Sequence, residues 1–304
     1  MAGLKDIKRR LKSVRNTKKI TYAMKLVSAA KLKKAQVAVT EARAYTEALS
    51  ALMVELASEQ DASDFRHPLM AKRKAVKKIH FLVIGGTRGL CGGYNTNVQK
   101  RVEVAYTEAL ERHPQAQIDA TIIGKKVGEY FRRTKRSYTK AYEDLPESAN
   151  DWPIDEICLD LECAFLKGEV DEVRVIYTRF KSAMSMKVLC ERLLPLSAEM
   201  LADSDTSEQR LEGGASELSG IALFEPSATE VFEAVVPRIL RTRVRQAGLD
   251  TKASEHGSRM VAMESATTNA GELLQELTLK HNKMRQSAIT SELLDIIGGA
   301  EALT

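Results

Sequence analysis

The loop Gly85-Gly86-Thr87-Arg88-Gly89-Leu90-Cys91-Gly92-Gly93 is where this sequence has the residue types for chemistry. A glycine-rich turn between a strand and a helix can bring backbone N–H groups close to a phosphate, at the positive end of a helix dipole. Neither GxxxxGK[ST] nor GxGxxG can be set on these glycines, however. The loop is therefore expected to be a tight structural turn packed on neighbouring backbone, with nucleotide binding as the alternative. Cys91 would need an adjacent base to act as a nucleophile, and none of His67, His80, His113, His256 and His281 lies in a motif that offers one. Cys158 and Cys163 have four residues between them and no second Cys/His pair follows, so zinc is not indicated. With Cys91 and Cys190 they read as free thiols of a reducing compartment. His281 reads as a polar member of a helix seam rather than a metal ligand. No carboxylate pair, Ser/His/Asp set or metal cluster stands out, and no catalytic centre, cofactor or metal is expected.

The elements that would position the loop alternate in type. Strands are expected at Val76–Ile84, Ile118–Ile123, Tyr138–Tyr142, Glu172–Phe180 and Met184–Leu196. Helices are expected at Thr96–Arg112, Lys126–Arg133 and Pro153–Lys167, the last with proline in its first turn. This order predicts a parallel, Rossmann-like sheet with crossover helices over 75–197. An acidic stretch containing Ser and Gly follows at 198–226 and reads as a loop.

The ends of the chain differ from the middle. Between Leu4 and Ser58 there is neither Pro nor Gly. Leu4, Ile7, Leu11 and Val14 are spaced by three and four. Ile20, Met24 and Val27 are read as continuing that face after a small phase change, and Leu49, Leu52 and Leu56 as resuming it. From Met260 the seam Met260, Met263, Thr267, Ala270, Leu274, Leu277, His281, Met284, Ala288 has coiled-coil spacing. The box Ser227-Ala-Thr-Glu230 predicts a helix start, Pro237 a kink or break, and Gly298-Gly299 a stop. A lone helix of this kind is not stable in water, so the terminal helices of 1–60 and 227–304 are expected to wind around each other. The expected fold is α/β: a long antiparallel two-helix coiled coil from the N- and C-terminal helices, with a Rossmann-like α/β domain between them.

Charge is divided unevenly. Residues 1–40 hold twelve Lys/Arg and one acid, against a chain total of 46 basic and 41 acidic residues, so the rest of the chain is net acidic. The basic helix would seek an acidic surface. Nucleic acid is the second alternative, disfavoured because only Tyr22 and Tyr45 supply aromatics there. No run of eighteen apolar residues exists, so direct membrane insertion is not expected.

The terminal stretches LKDIKRRLKSVRNTKKITYAMKLVSAAKLKKAQ and ITSELLDIIGGAEA (Ile289 to Ala302), with GLCGGYN at Gly89 to Asn95, RLLPL, and FEP at Phe224 to Pro226, resemble the gamma subunits of F-type ATP synthases. The resemblance covers nearly the whole chain. It implies a non-catalytic central rotor shaft inside a ring of alpha and beta subunits. The foot of the shaft would bind the epsilon subunit and the c-ring. Rotation of the shaft would couple ion flow to conformational cycling of beta, for ATP synthesis or, in reverse, hydrolysis. It further implies the cytoplasmic face of a bacterial inner membrane, since no transit peptide precedes Leu4. The chloroplast dithiol insert is absent, while Ala149 to Glu169 departs from the family in carrying two extra cysteines. By the same resemblance Met24 faces the beta lever loops, and Lys8 to Lys19 supply basic contacts. Arg285, Gln286 and Thr290 hydrogen-bond a beta catch loop, and Ile289, Leu293 and Ile296 lie at a hydrophobic bearing.

Overall fold

A computed structural model describes residues 2–59, 67–73, 75–196 and 227–301. The expected acidic loop at 198–226, with the FEP motif at its end, falls outside these. The element order is α1 (Ala2–Glu59), β1 (Lys78–Ile84), α2 (Tyr94–Arg112), β2 (Gln117–Ile123), α3 (Lys125–Thr134), β3 (Lys140–Tyr142), α4 (Ile154–Leu166), β4 (Glu172–Phe180), β5 (Met186–Leu194) and α5 (Ala228–Glu301). Short 3-10 turns lie at Pro68–Met70 and Ala149–Asp151.

The sheet order is β3-β2-β1-β4-β5. The first four strands are parallel, as the alternation of elements predicts. β5 is not: it runs antiparallel to β4. Only the short stretch Lys181–Ser185 joins the two, too little chain for the crossover that a parallel partner needs. Side chains alternate across the sheet. Phe81 and Val83 meet Val98, Val102 and Ala105 of α2 and Phe131 of α3. Leu82 and Ile84 face the other layer, where α4, α1 and α5 contribute Phe165, Leu32, Val39, Leu240 and Val244. The sheet is thus covered on both faces, and its near-continuous apolar strands follow from that.

α1 has 58 residues and α5 has 74, about 87 and 111 Å at 1.5 Å per residue. They run antiparallel. A Cβ at Gly3 would lie 3.0 Å from Met284, Thr267 donates to Thr21 Oγ1 at 2.8 Å, and Lys25 pairs with Glu264 at 2.6 Å. On α5 every residue of the expected seam is buried or half-buried, His281 included.

On α1 the seam differs from expectation. Ile20 and Val27 are 60% and 56% exposed and face outward. The three-four series instead continues without a phase change from Leu4, Ile7, Leu11 and Val14. It passes through Lys18, Thr21, Lys25 and Ser28 to Leu32, Ala35, Val39, Ala42, Thr46 and Leu49. All of these except Lys18 are buried or half-buried. The middle of the seam is therefore polar. Small and hydroxyl side chains let the helices approach there, and two lysines take seam positions by reaching along the partner. One lies beside Gly271, where a Cβ would be 3.1 Å from Lys18 Nζ.

Two expectations about α5 also change. Pro237 lies inside the helix, which continues through it. The carbonyl that loses its donor belongs to Glu233, which is exposed to water, while Phe232, Val236, Ile239 and Leu240 on either side are buried and hold the helix down. Gly298 and Gly299 do not end the helix, which runs to Glu301. A helical glycine costs only about 1 kcal/mol relative to alanine, so a pair weakens a helix without stopping it. The start behaves as read: Ser227 Oγ accepts from Glu230 N at 3.2 Å. Leu240→Ala should remove about 2–5 kcal/mol of stability in urea unfolding. A loss under about 0.5 kcal/mol, the scale of a surface substitution, would contradict the role given to burial beyond Pro237.

Candidate functional site

The glycine-rich loop caps the C-terminal end of β1, next to the point where the strand order turns back to β4. In open α/β sheets a ligand occupies the crevice there. Here α5 occupies it. Arg259 Nε donates to Gly89 O at 3.3 Å, Tyr94 Oη donates to Thr251 O at 3.3 Å, and Ser254 Oγ donates to Thr178 O at 3.3 Å. The glycines serve close packing. A Cβ at Gly85 would fall 2.2 Å from Val127, one at Gly86 2.5 Å from Asn95 Oδ1, and one at Gly124 (φ +107°) 2.5 Å from Gly85 O. Nothing in this geometry favours the nucleotide alternative.

The part of α5 lying in the crevice is polar and buried. Asp250, Thr251, Lys252, Ser254, Glu255, His256 and Arg259 are all nearly inaccessible. Glu255 bonds Arg259 at 2.6 Å and lies 3.6 Å from Lys252. Burial works against its charge, but these two cations, with the bond from Arg259, outweigh burial and hold its pKa below the ordinary carboxyl value. Asp250 is held by Arg43 and Gln246, both at 3.2 Å, yet burial wins and raises its pKa. Outside the crevice, Glu147 meets Lys31 of α1 at 2.8 Å, Arg88 of the loop at 3.4 Å and His256 of α5 at 3.6 Å. Burial lowers the His256 pKa to about 4 despite Glu255 and Glu147.

The cysteines offer no redox pair. Burial raises the Cys91 thiol, and Cys91 accepts from Asn95 at 3.2 Å. Cys158 is buried and pushed up to about 12 by burial, whereas Cys163 points outward from the same helix. Five residues along a helix place these two thiols on different faces, and all four cysteines are free.

The residues singled out for partner contact fall into two places. Met24 is half-buried at the edge of the polar mid-shaft. Arg285, Gln286 and Thr290 are exposed near the free end of α5, where Thr290 Oγ1 returns to Gln286 O at 3.0 Å. Ile289, Leu293 and Ile296 are 49%, 54% and 67% exposed, and they continue the row of Arg285 along one face. This end of α5 lies past the residues opposite the start of α1, since Gly3 meets Met284. Leu294 and Ile297, 63% and 59% exposed, belong to the same apolar end and were not singled out from the sequence. A second missed surface lies on α1. Ile20, Ala23, Val27 and Ala30 are all exposed and spaced three, four and three, opposite the seam and among exposed Lys19, Lys33 and Lys34. Its spacing was legible, but it was assigned inward. The basic residues Lys8, Arg9, Arg10, Lys12, Arg15, Lys18 and Lys19 are exposed along the same half of α1.

No helix among the described residues is long and apolar enough to cross a membrane. The family model described as ATP synthase matches residues 3–303. The chain is 38% identical over 320 residues to the ATP synthase gamma chain of Trichormus variabilis, covering all of both chains. It is 39% identical over 303 residues to that of Moorella thermoacetica, again covering both in full. Among solved structures it resembles a chain of the Euglena gracilis mitochondrial ATP synthase, OSCP/F1/c-ring, with a TM-score of 0.63 and 22% identity, covering 99% of this chain and 95% of that one. A chain of the Tetrahymena thermophila mitochondrial ATP synthase central stalk and c-ring gives a TM-score of 0.56 at 22% identity, covering 81% and 99%. These structural likenesses bear on the fold.

The depressed His256 pKa has a consequence for stability. The folded chain holds this imidazole neutral, and the unfolded chain binds a proton near the ordinary value of 6.5. Stability from this group is therefore complete above pH 6.5 and falls as pH drops toward 4. Glu147 and Glu255, held low, lose stability in the same direction. His256→Gln should flatten the decline between pH 6.5 and 4.5 in denaturant titrations. An unchanged slope would refute the assignment.

Proposed function

The chain belongs to the ATP synthase gamma-chain family, and from that premise we infer that it is the central rotor shaft of a rotary ATP synthase. The observation that carries the reading is the antiparallel pairing of the two chain ends into a shaft that leaves the α/β domain and finishes in an exposed apolar tip. Such a molecule has a foot to be turned and an end to be turned against. It performs no chemistry of its own, and the crevice where chemistry would be sought is filled by its own helix.

The partners follow from the surfaces. The alpha and beta subunits surround the shaft. Ile289, Leu293 and Ile296, with Leu294 and Ile297, turn in an apolar bearing formed by that ring. Arg285, Gln286 and Thr290 offer donors and acceptors to a catch loop of beta. The basic half of α1 from Lys8 to Lys19, Met24 and the outward stripe from Ile20 to Ala30 meet the acidic lever loops of beta. The α/β domain is the foot, docked on the epsilon subunit and the c-ring at the cytoplasmic face of the bacterial inner membrane. The shaft comprises 1–60 and 227–304, the foot 75–197, and the acidic stretch 198–226 links the foot to the second shaft helix. Because the shaft presents different faces to the three beta subunits, each is biased toward a different conformation. Only such differential contact can shift their equilibrium.

Reconstitution tests the reading. Mixed with alpha and beta subunits from the same source, the chain should co-elute in a complex whose ATPase activity requires it. A folded chain that forms no complex would overturn it. Within the complex, Arg285→Glu should lower coupled ATP synthesis by roughly tenfold, the effect of about 1.4 kcal/mol from one charge-assisted hydrogen bond, with assembly largely kept. Unchanged synthesis would remove Arg285 from the contact.

A further inference from the structure

The seam of the shaft repeats every seven residues. Met263, Ala270 and Leu277 are buried on α5, as Ile7, Thr21 and Ser28 are on α1. Thr21–Thr267 and Lys25–Glu264 fix the height of one helix on the other, but neither contact involves the α/β domain. Torque through a shaft also needs its helices to turn with the foot rather than within it. The apolar core that the shaft shares with the domain is non-directional, so a directional contact there is needed to fix both height and angle.

The crevice contains such a device. Gly248 and Gly257 are nine residues apart, 2.5 turns, and so lie on opposite faces of α5. A Cβ at Gly248 would be 2.8 Å from the Trp152 ring, and one at Gly257 would be 2.8 Å from Met186 and 3.4 Å from Ala183 of the β4–β5 hairpin. The helix is gripped from two sides. Between these points Asp250 is buried, and Arg43 of α1 reaches across to it at 3.2 Å. The same nitrogen, Nη2, donates to Phe180 O at the end of β4 at 2.7 Å. One guanidinium thus joins α1, α5 and the sheet.

We propose that the Arg43–Asp250–Phe180 junction, set between Gly248 and Gly257, is a registry pin that fixes the shaft helices to the α/β domain so that the two rotate as one body. The proposal rests on the rotor reading. Stability alone is a poor account of the junction. Asp250 is buried while Arg43 is 46% exposed, and burial outweighs the attraction between them, so the pair is a weak source of stability. What an apolar pair lacks is direction: it would let α5 settle at neighbouring angles and heights. Arg43 and Asp250 are positioning residues, remote from any reacting atom.

The test uses the reconstituted complex in vesicles, reading ATP hydrolysis and ATP-driven ion pumping together. The double variant Arg43→Met/Asp250→Leu removes both charges. Its chain should unfold at the same or a higher urea concentration than the unmodified chain. Hydrolysis should continue at the unmodified rate while pumping per ATP is lost, because the shaft turns without carrying the foot. Arg43→Lys, which keeps the charge, should recover part of the pumping. Should the double variant fail to fold, Asp250→Asn keeps the shape and the bond from Gln246 and serves in its place, with the same loss expected. Unchanged pumping per ATP in a folded variant would overturn the pin. A parallel fall of stability, hydrolysis and pumping would also overturn it and leave a merely structural pair. If the unmodified chain fails to restore pumping, the rotor reading itself falls, and this inference with it.

Discussion

A helix far longer than any domain it belongs to must bury a narrow stripe along its length or come apart. That constraint shapes the rest of this molecule. The stripe is found at the other end of the same chain, so the α/β domain has to be inserted between the two helices rather than attached to one of them. The sheet then meets both helices on one face, where Leu32, Val39, Leu240 and Val244 complete its core. The second face is closed by α2 and α3 in the ordinary way. The shaft and the domain therefore share a core at the foot, while farther out the shaft has only itself.

Away from the foot, the pairing weakens in a definite place. At Lys18, Thr21, Lys25 and Ser28 the seam gives up aliphatic side chains for a hydroxyl–hydroxyl bond to Thr267 and an ion pair to Glu264. In the same turns apolar residues appear on the outside, at Ile20 and Val27. Inside and outside have exchanged character. An isolated coiled coil would gain by the reverse arrangement. A polar seam also gains less from burial than an aliphatic one.

This exchange explains what could and could not be read from the residues. The α5 seam was legible because one face alone carries the three-four pattern from Met260 to Ala288. On α1 two such patterns run half a turn apart, one through Thr21 and Ser28 and one through Ile20 and Val27. Hydrophobicity selects the wrong one, while counting onward from Ile7 and Val14 selects the right one. The strands from Lys78 to Phe180 were legible because both faces are covered and β1 and the ends of β2 and β4 carry apolar runs. The direction of β5 followed from the length of its connection rather than from its own residues. The glycine loop could be recognised as structural from its poor fit to phosphate-binding patterns, but not the reason for it. Asp250 to Arg259 reads as a solvated helix face, and its burial depends on where the chain crosses the sheet, which no local pattern records.

The same stretch fills the crevice where an open α/β sheet takes a ligand. The crevice at the turning point of the sheet is the one place where several backbone ends and loops converge on an incoming group. For a shaft, that is the best place to be held. Arg259 takes the position a ligand would have beside Gly89, and Thr251 and Ser254 satisfy the end of β4 at Thr178. A binding site built to orient a small molecule orients a helix equally well. A helix held there by directional bonds has one height and one angle on the sheet, which its seam with α1 does not by itself set.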